Sequence, residues 1–78
     1  MLDDKDCLRC FGEFIKAGRE RQCLSQNHVA TLLGISQQYY SHIEIGKRNV
    51  DLVMALKICE MLKLNLNNFI STYCKQTP

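Results

Sequence analysis

Residues 36–49, SQQYYSHIEIGKRN, combine side chains that could read DNA bases with side chains that could anchor a helix. At 100° per residue, one face of such a helix is mainly apolar and holds Ser36, Tyr39, Tyr40 and Ile43. The opposite face holds Gln37, Gln38, Ser41, His42 and Ile45. Most of these groups both donate and accept hydrogen bonds, whereas a solvated helix face usually carries Lys and Glu. The major groove presents such donors and acceptors, and glutamine pairs with adenine through two hydrogen bonds. The pattern therefore predicts a base-reading helix, with a merely solvated polar face as the alternative.

The charges around this segment favour contact with a polyanion. Glu44 is the only acid between Arg21 and Val50, although the net charge of the chain is just +2. Lys47, Arg48 and Asn49 directly follow the predicted helix, where they could reach flanking phosphates.

The apolar residues recur at helical spacing, and the breaks between them predict five helices and an all-α fold. We expect helices at about 6–22, 26–33, 36–45, 52–63 and 66–73. Ser25, Ser36, Asp51 and Asn65 are suited to cap the last four, and Gly34 and Gly46 stand where two of them end. The inward face of the fourth helix is expected to hold Leu52, Ala55, Leu56, Cys59 and Leu62. The second and third helices have the spacing of a helix-turn-helix.

Length and composition restrict the possible classes of protein. A chain of 78 residues forms one domain. No apolar run approaches the roughly 18 residues of a membrane span, and the acidic start MLDDKDCLRC is unlike a secretory signal. We therefore expect a cytoplasmic protein without a membrane partner. The five cysteines favour small hydrophobic side chains over a disulfide framework or a zinc site, because Cys7 and Cys10 form a single CxxC pair.

Residues 24–49 resemble the Cro/repressor-type helix-turn-helix family, also called the XRE family. The resemblance rests on Leu24-Ser25-Gln26, Val29-Ala30, Gly34-Ile35-Ser36, Ser41, Ile43-Glu44 and Gly46-Lys47. It extends over 11–70 and implies a five-helix, lambda-repressor-like domain at 11–73. Residues 1–10 would form an extension and the start of the first helix, and 74–78 a tail. The implied function is a bacterial or phage transcriptional regulator, with repression as the expected mode. Cys23, Ile45 and Val50 depart from residue types common in the family.

The resemblance also implies which residues meet DNA. They are Gln26, Ser36, Gln37, Gln38, Ser41, His42, Lys47, Arg48 and Asn49. Gln26 would contact a phosphate at a helix N-terminus, where free backbone N–H groups favour an anion. For His42, a DNA contact and simple solvation stay open. Glu44 is unfavourable near a helix C-terminus, and the resemblance supplies Arg19 as its structural partner.

The last helix carries a broad apolar stripe of Leu66, Phe69, Ile70 and Tyr73. We expect Leu66 and Phe69 to face the core. Ile70 and Tyr73 would lie near the two-fold axis of a homodimer that reads a palindromic operator, with recognition helices about 34 Å apart. The alternatives are a monomer that dimerises on DNA and an interface around 2–10.

Two other classes of function compete with DNA binding. One is a protein-interaction module, such as an antitoxin that binds a partner protein through Ile45 and the C-terminal apolar residues. The other is a redox or enzymatic role for Cys7 and Cys10, for which no catalytic constellation stands nearby in the sequence. The residues favour a non-enzymatic protein without a cofactor.

Overall fold

The computed structural model describes residues 3–73, which form five helices joined by short turns. The helices are α1 (Asp4–Arg21), α2 (Gln26–Leu33), α3 (Gln37–Glu44), α4 (Leu52–Met61) and α5 (Leu66–Tyr73). No strand occurs among these residues, and the all-α prediction is confirmed. Helix α1 begins two residues earlier than expected because the Asp3 side chain caps it, accepting a 2.8 Å hydrogen bond from the backbone N of Asp6. Within 3–73, no helix combines the length and apolarity needed to cross a membrane.

The same local chemistry begins and ends most of these helices. Ser25, Ser36 and Asp51 each accept a hydrogen bond from the backbone N–H three residues ahead, as expected of N-caps. At the end of α3, Gly46 has φ 78°, a conformation that costs glycine little. There the N–H of Gly46 donates to the carbonyl of Ile43 and the N–H of Lys47 to that of His42, which is a Schellman motif. The turn after α3 is therefore rigid.

The core lies where α1, α2, α3 and α4 meet, and α5 closes one side of it. Its buried members are Phe11, Ile15, Val29, Ala30, Tyr40, Ile43, Ile58, Cys59, Leu62 and Phe69. Phe69 joins α5 to α1 through an edge-to-face contact with Phe11, at 5.5 Å between ring centroids. As predicted, Phe69 faces the core and Ile70 does not.

The prediction for the inward face of α4 is partly wrong. Leu52 and Leu56 point outward, with 68% and 49% of their surfaces exposed, and Val53 is exposed as well. Cys59 and Leu62 face the core as predicted, and Ile58 is buried beside them in place of Leu52 and Leu56. The helix is apolar on nearly all sides, and its periodicity therefore does not define which side is buried.

Two glycines allow α1 to lie directly against the end of α3. A Cβ atom at Gly12 would lie 2.1 Å from the Glu44 carbonyl oxygen, and one at Gly46 would lie 2.8 Å from the Arg9 Cα. A Cβ atom at Gly18 would instead meet the Leu64 side chain, at distances from 2.7 Å. The contact at Gly12 is between two backbones and therefore fixes how closely α1 and α3 approach.

We expect Gly12→Ala to lower the free energy of unfolding by at least about 2 kcal/mol, because backbone atoms cannot yield to the added methyl group. This corresponds to a Tm lower by roughly 10 °C for a domain of this size. Gly18→Ala is the matched control, since it gains the same helix propensity and meets only the end of a leucine side chain. Thermal unfolding followed by circular dichroism measures both variants. A Gly12→Ala protein as stable as the Gly18→Ala protein would contradict the close backbone contact.

Candidate nucleic-acid interface

Helix α3 presents its polar face to solvent from a firmly held position. Gln37 and Gln38 are exposed in its first turn, and Ser36 Oγ caps that turn by accepting a 3.0 Å hydrogen bond from the Tyr39 backbone N. On the other side, Tyr40 and Ile43 are fully buried. Ser41 and His42 lie half-buried at the edge of the polar face, beyond the glutamines. The glutamine amides are thus exposed to solvent at the N-terminal end of a helix whose orientation is fixed by its buried face.

A cationic margin follows the C-terminal end of α3. Lys47, Arg48 and Asn49 are all exposed. The Arg48 guanidinium lies over the Tyr39 ring, 4.9 Å from its centroid, and this cation–π contact restrains the long side chain. Positive charge is therefore held beside the polar face of α3.

The Glu44 carboxylate is buried at 4% exposure and is bound from two other helices. Arg19 of α1 donates from Nε to Oε2 at 2.6 Å and from Nη2 to Oε1 at 3.1 Å. Gln26 of α2 donates from Nε2 to Oε1 at 2.9 Å. Arg19 also donates from Nη1 to the Leu24 carbonyl oxygen at 2.8 Å. One carboxylate therefore connects α3 with α1 and α2.

The electrostatics of this cluster favour the charged form of Glu44. Burial alone would raise the pKa of the Glu44 carboxyl, but the hydrogen bonds from Arg19 and Gln26 and the positive charge of Arg19 favour the carboxylate, and the net effect is a lowered pKa. The hydrogen bond to Glu44 likewise raises the pKa of Arg19. Burial raises the pKa of Tyr40, and the adjacent carboxylate adds to that shift. Glu44 is thus ionised, and its negative charge is balanced by the adjacent Arg19 inside the protein.

Gln26 lies at the start of α2 with its amide nitrogen bound to Glu44. A glutamine amide has two N–H donors, so this bond leaves one of them for an anion. The bond to Glu44 orients the side chain from within. The phosphate contact expected of Gln26 stays a prediction.

The structure adds two contacts that the sequence did not suggest. Gln26 was expected to face phosphate and not to bind Glu44, and Arg48 was not expected to stack on Tyr39. Neither pair has a spacing that belongs to one helix, because 18 residues separate the first pair and a turn interrupts the second. The only hint in the sequence was that Glu44 needed a partner and that Gln26, at the start of α2, is a polar residue that could provide one.

Three of the cysteines belong to the core or pack against it. Cys7 and Cys10 are half-buried against the core, and Cys59 is part of it. Among residues 3–73, no group of three or more His, Cys, Asp or Glu side chains is arranged to hold a metal ion.

We expect Arg19→Ala to lower the free energy of unfolding by roughly 3 kcal/mol, because it leaves the buried Glu44 charge without its main partner. Glu44→Ala in the Arg19→Ala background should add little. The double-mutant cycle, measured by urea unfolding, should then show a coupling energy of roughly 1–3 kcal/mol. Strictly additive losses would contradict the interaction.

The Arg19–Glu44 pair should make the stability of the protein fall at acidic pH. Because folding lowers the pKa of Glu44, its contribution to stability is present above the unfolded-state pKa of about 4.3 and is lost as pH falls further. Glu44→Gln should therefore flatten the loss of stability below about pH 4.3 relative to the unaltered protein.

Comparisons with known proteins agree with this architecture. Residues 15–69 match the model of a helix-turn-helix family. Control protein C.MunI from Mycoplasma sp is 40% identical over 69 residues, which cover 88% of this chain and 93% of that protein. The HTH-type transcriptional repressor RghR from Bacillus subtilis is 40% identical over 58 residues, which cover 73% of this chain but 43% of that protein.

A solved structure has the same fold over nearly its whole length. The crystal structure of the restriction-modification controller protein C.AhdI from Aeromonas hydrophila superposes with a TM-score of 0.77 and 32% identity, covering 87% of this chain and 99% of that one. The matched helices, their capped turns and the polar face of α3 lead to one conclusion. This chain belongs to the XRE-type helix-turn-helix family of DNA-binding transcriptional regulators.

Proposed function

We propose that this protein is a non-enzymatic regulator that occupies a palindromic operator as a homodimer and represses transcription. The observation that carries the proposal is the α3 surface, where exposed Gln37 and Gln38 stand beside exposed Lys47 and Arg48. The single acid of the segment 21–50 is buried away from it. Such a surface attracts a polyanion and offers uncharged groups to its bases. Its place of action is then the cytoplasm, where bacterial and phage DNA is accessible.

The relatives suggest a biological context. The chain covers nearly all of C.MunI and C.AhdI, whose names describe control proteins, but less than half of RghR. The similarity therefore extends over nearly the whole of both controllers. We therefore propose the same class for this protein, namely a controller of restriction–modification genes.

The residues divide into two roles. Lys47, Arg48 and Asn49, together with Gln26 at the start of α2, contact phosphates and set the position of the domain on the duplex. Gln37 and Gln38 contact base edges in the major groove, because the N-terminal residues of the second helix lie deepest there. Ser36, Ser41 and His42 complete the surface from its edges.

One copy of α3 reads too little DNA to be selective. Its 8 residues span about 12 Å, which equals roughly four base pairs of duplex. A second copy doubles the length that is read and makes the site palindromic. Ile70 on α5 is 50% exposed and is the proposed centre of the dimer contact. The Tyr73 side chain, assigned to the same contact, lies outside the described residues.

We expect variants of the base-contacting residues and variants of the phosphate-contacting residues to affect DNA binding differently. Gln37→Ala or Gln38→Ala should weaken binding to the selected operator by roughly 1–3 kcal/mol and leave random duplex binding unchanged. Lys47→Ala or Arg48→Ala should weaken both kinds of binding and make the log–log salt slope shallower by about 1. Selection from random duplexes gives the operator, and titrations at several salt concentrations give the slopes.

Lys63→Ala is a matched control, since Lys63 is exposed in the turn between α4 and α5 and should leave every titration unchanged. Full base discrimination in both glutamine variants would place the recognition face elsewhere. Duplex binding that does not respond to salt would exclude the phosphate contacts.

We expect sedimentation at micromolar concentration to find a dimer, and Ile70→Asp to give a folded monomer that binds the palindrome far more weakly. Leu32→Asp is the control, because Leu32 is comparably exposed on α2. Val53→Asp tests the exposed apolar side of α4. If Val53→Asp is monomeric and Ile70→Asp remains dimeric, the interface lies on α4 instead of α5.

The competing interpretation is a module that binds a partner protein. It predicts that Gln37→Ala, Lys47→Ala and their double variant keep full biological activity. Loss of regulation in those variants, measured with a promoter reporter, would favour the operator.

A further inference from the structure

A groove with a positive lining runs between the start of α1 and the turn after α3. Its volume is about 310 Å³, and it is lined by Lys5, Asp6, Arg9, Ile45, Gly46 and Lys47. Three of these residues are cationic and one is anionic, so the groove has a net charge of +2 (3 − 1). Residues 5–9 precede the segment 15–69 that matches the family model, so this side of the groove lies outside the helix-turn-helix match.

The walls of the groove are fixed to each other and to α3. Gly46 packs on the backbone of Arg9 so closely that a Cβ atom there would lie 2.9 Å from the Arg9 backbone N. The backbone N of Lys47 is held 2.9 Å from the His42 carbonyl oxygen. Lys47, already placed beside the polar face, therefore extends from the same rigid junction as Arg9.

The cations of the groove are available to a ligand. Within 3–73, neither Lys5 nor Lys47 has a carboxylate in ion-pair contact. Arg9 Nη2 lies 3.0 Å from Asp6 Oδ1, but the side chains are 60% and 46% exposed, and solvent-exposed ion pairs are weak. The guanidinium has five N–H donors in a planar fork, which suits the two oxygens of a phosphate. Ile45, 54% exposed, adds an apolar wall.

We propose that this groove binds a backbone phosphate of the DNA, at the outer edge of the half-site contacted by α3. Arg9 exchanges its exposed bond to Asp6 for two bonds to the phosphate. Lys5 and Lys47 complete the charge around that phosphate, and Ile45 packs against the adjoining sugar. The inference rests on the proposed operator binding and extends the footprint from the helix-turn-helix to the first turns of α1.

Salt titrations of the full chain on the selected operator test the groove. Arg9→Gln and Lys5→Gln should each weaken binding to all duplexes, and the variant that carries both changes should make the salt slope shallower by about 0.9, the value for the one phosphate that the groove binds. The ratio of wild-type to variant affinity should then fall about 3.5-fold between 50 and 200 mM salt, which is that slope over a fourfold range. Arg9→Lys keeps the charge and should restore most of the slope. Asp6→Asn removes the competing carboxylate and should tighten binding.

Lys16→Gln and Lys63→Gln are the matched controls, since both lysines are exposed and neither lines the groove. The thermal midpoints of the groove variants should equal those of the controls, which excludes a purely structural effect. Phosphate ethylation interference should find one phosphate whose ethylation weakens DNA binding by the wild-type protein but not by the Arg9→Gln variant.

The outcomes separate the two proposals. If binding depends on Gln37 but Arg9→Gln and Lys5→Gln behave as the controls do, the groove proposal is wrong and operator binding stands. If the wild type binds no duplex at low salt, both are wrong.

Discussion

The buried carboxylate of Glu44 is the constraint on which this structure depends. A charge almost excluded from water is stable only when hydrogen bonds replace its hydration, and here Arg19 and Gln26 provide them from α1 and α2. Any rotation of α3 would break these bonds. The polar face on the other side of α3 therefore has one orientation, although the helix has just 8 residues and would not be stable in isolation.

The contact between the α1 and α3 backbones has a similar effect by steric means. Because Gly12 has no side chain, the carbonyl of Glu44 can approach α1 closely. Because Gly46 has φ 78°, the chain turns sharply against Arg9. Hydrogen bonds set the rotation of α3 and these glycines set its distance from α1, so that α1 supports the surface proposed to contact DNA.

The same packing determines the sign of the surface charge. The sequence places one acid between Arg21 and Val50, and a solvated carboxylate there would repel phosphates. Folding buries that acid and pairs it, while Lys47 and Arg48 stay exposed. One residue thus stabilises the scaffold and leaves the binding face free of negative charge. Where α1 begins, Lys5 and Arg9 meet this face across the groove and continue its positive charge.

The sequence by itself determined the five helices, the N-caps Ser25, Ser36 and Asp51, and the polar face of α3, because these depend on neighbouring residues and on a period of 3.6. The exposure of Gln37 and Gln38 could be predicted for the same reason. Tertiary structure decided which side of α4 is buried, since that helix is apolar nearly all round and its side chains Leu52 and Leu56 carry no mark of their exposure. It also decided that Gln26 binds Glu44, that Arg48 lies on Tyr39, and that Lys5 and Arg9 converge with Lys47. Those contacts join residues far apart in the chain, and their geometry exists only once the helices have packed.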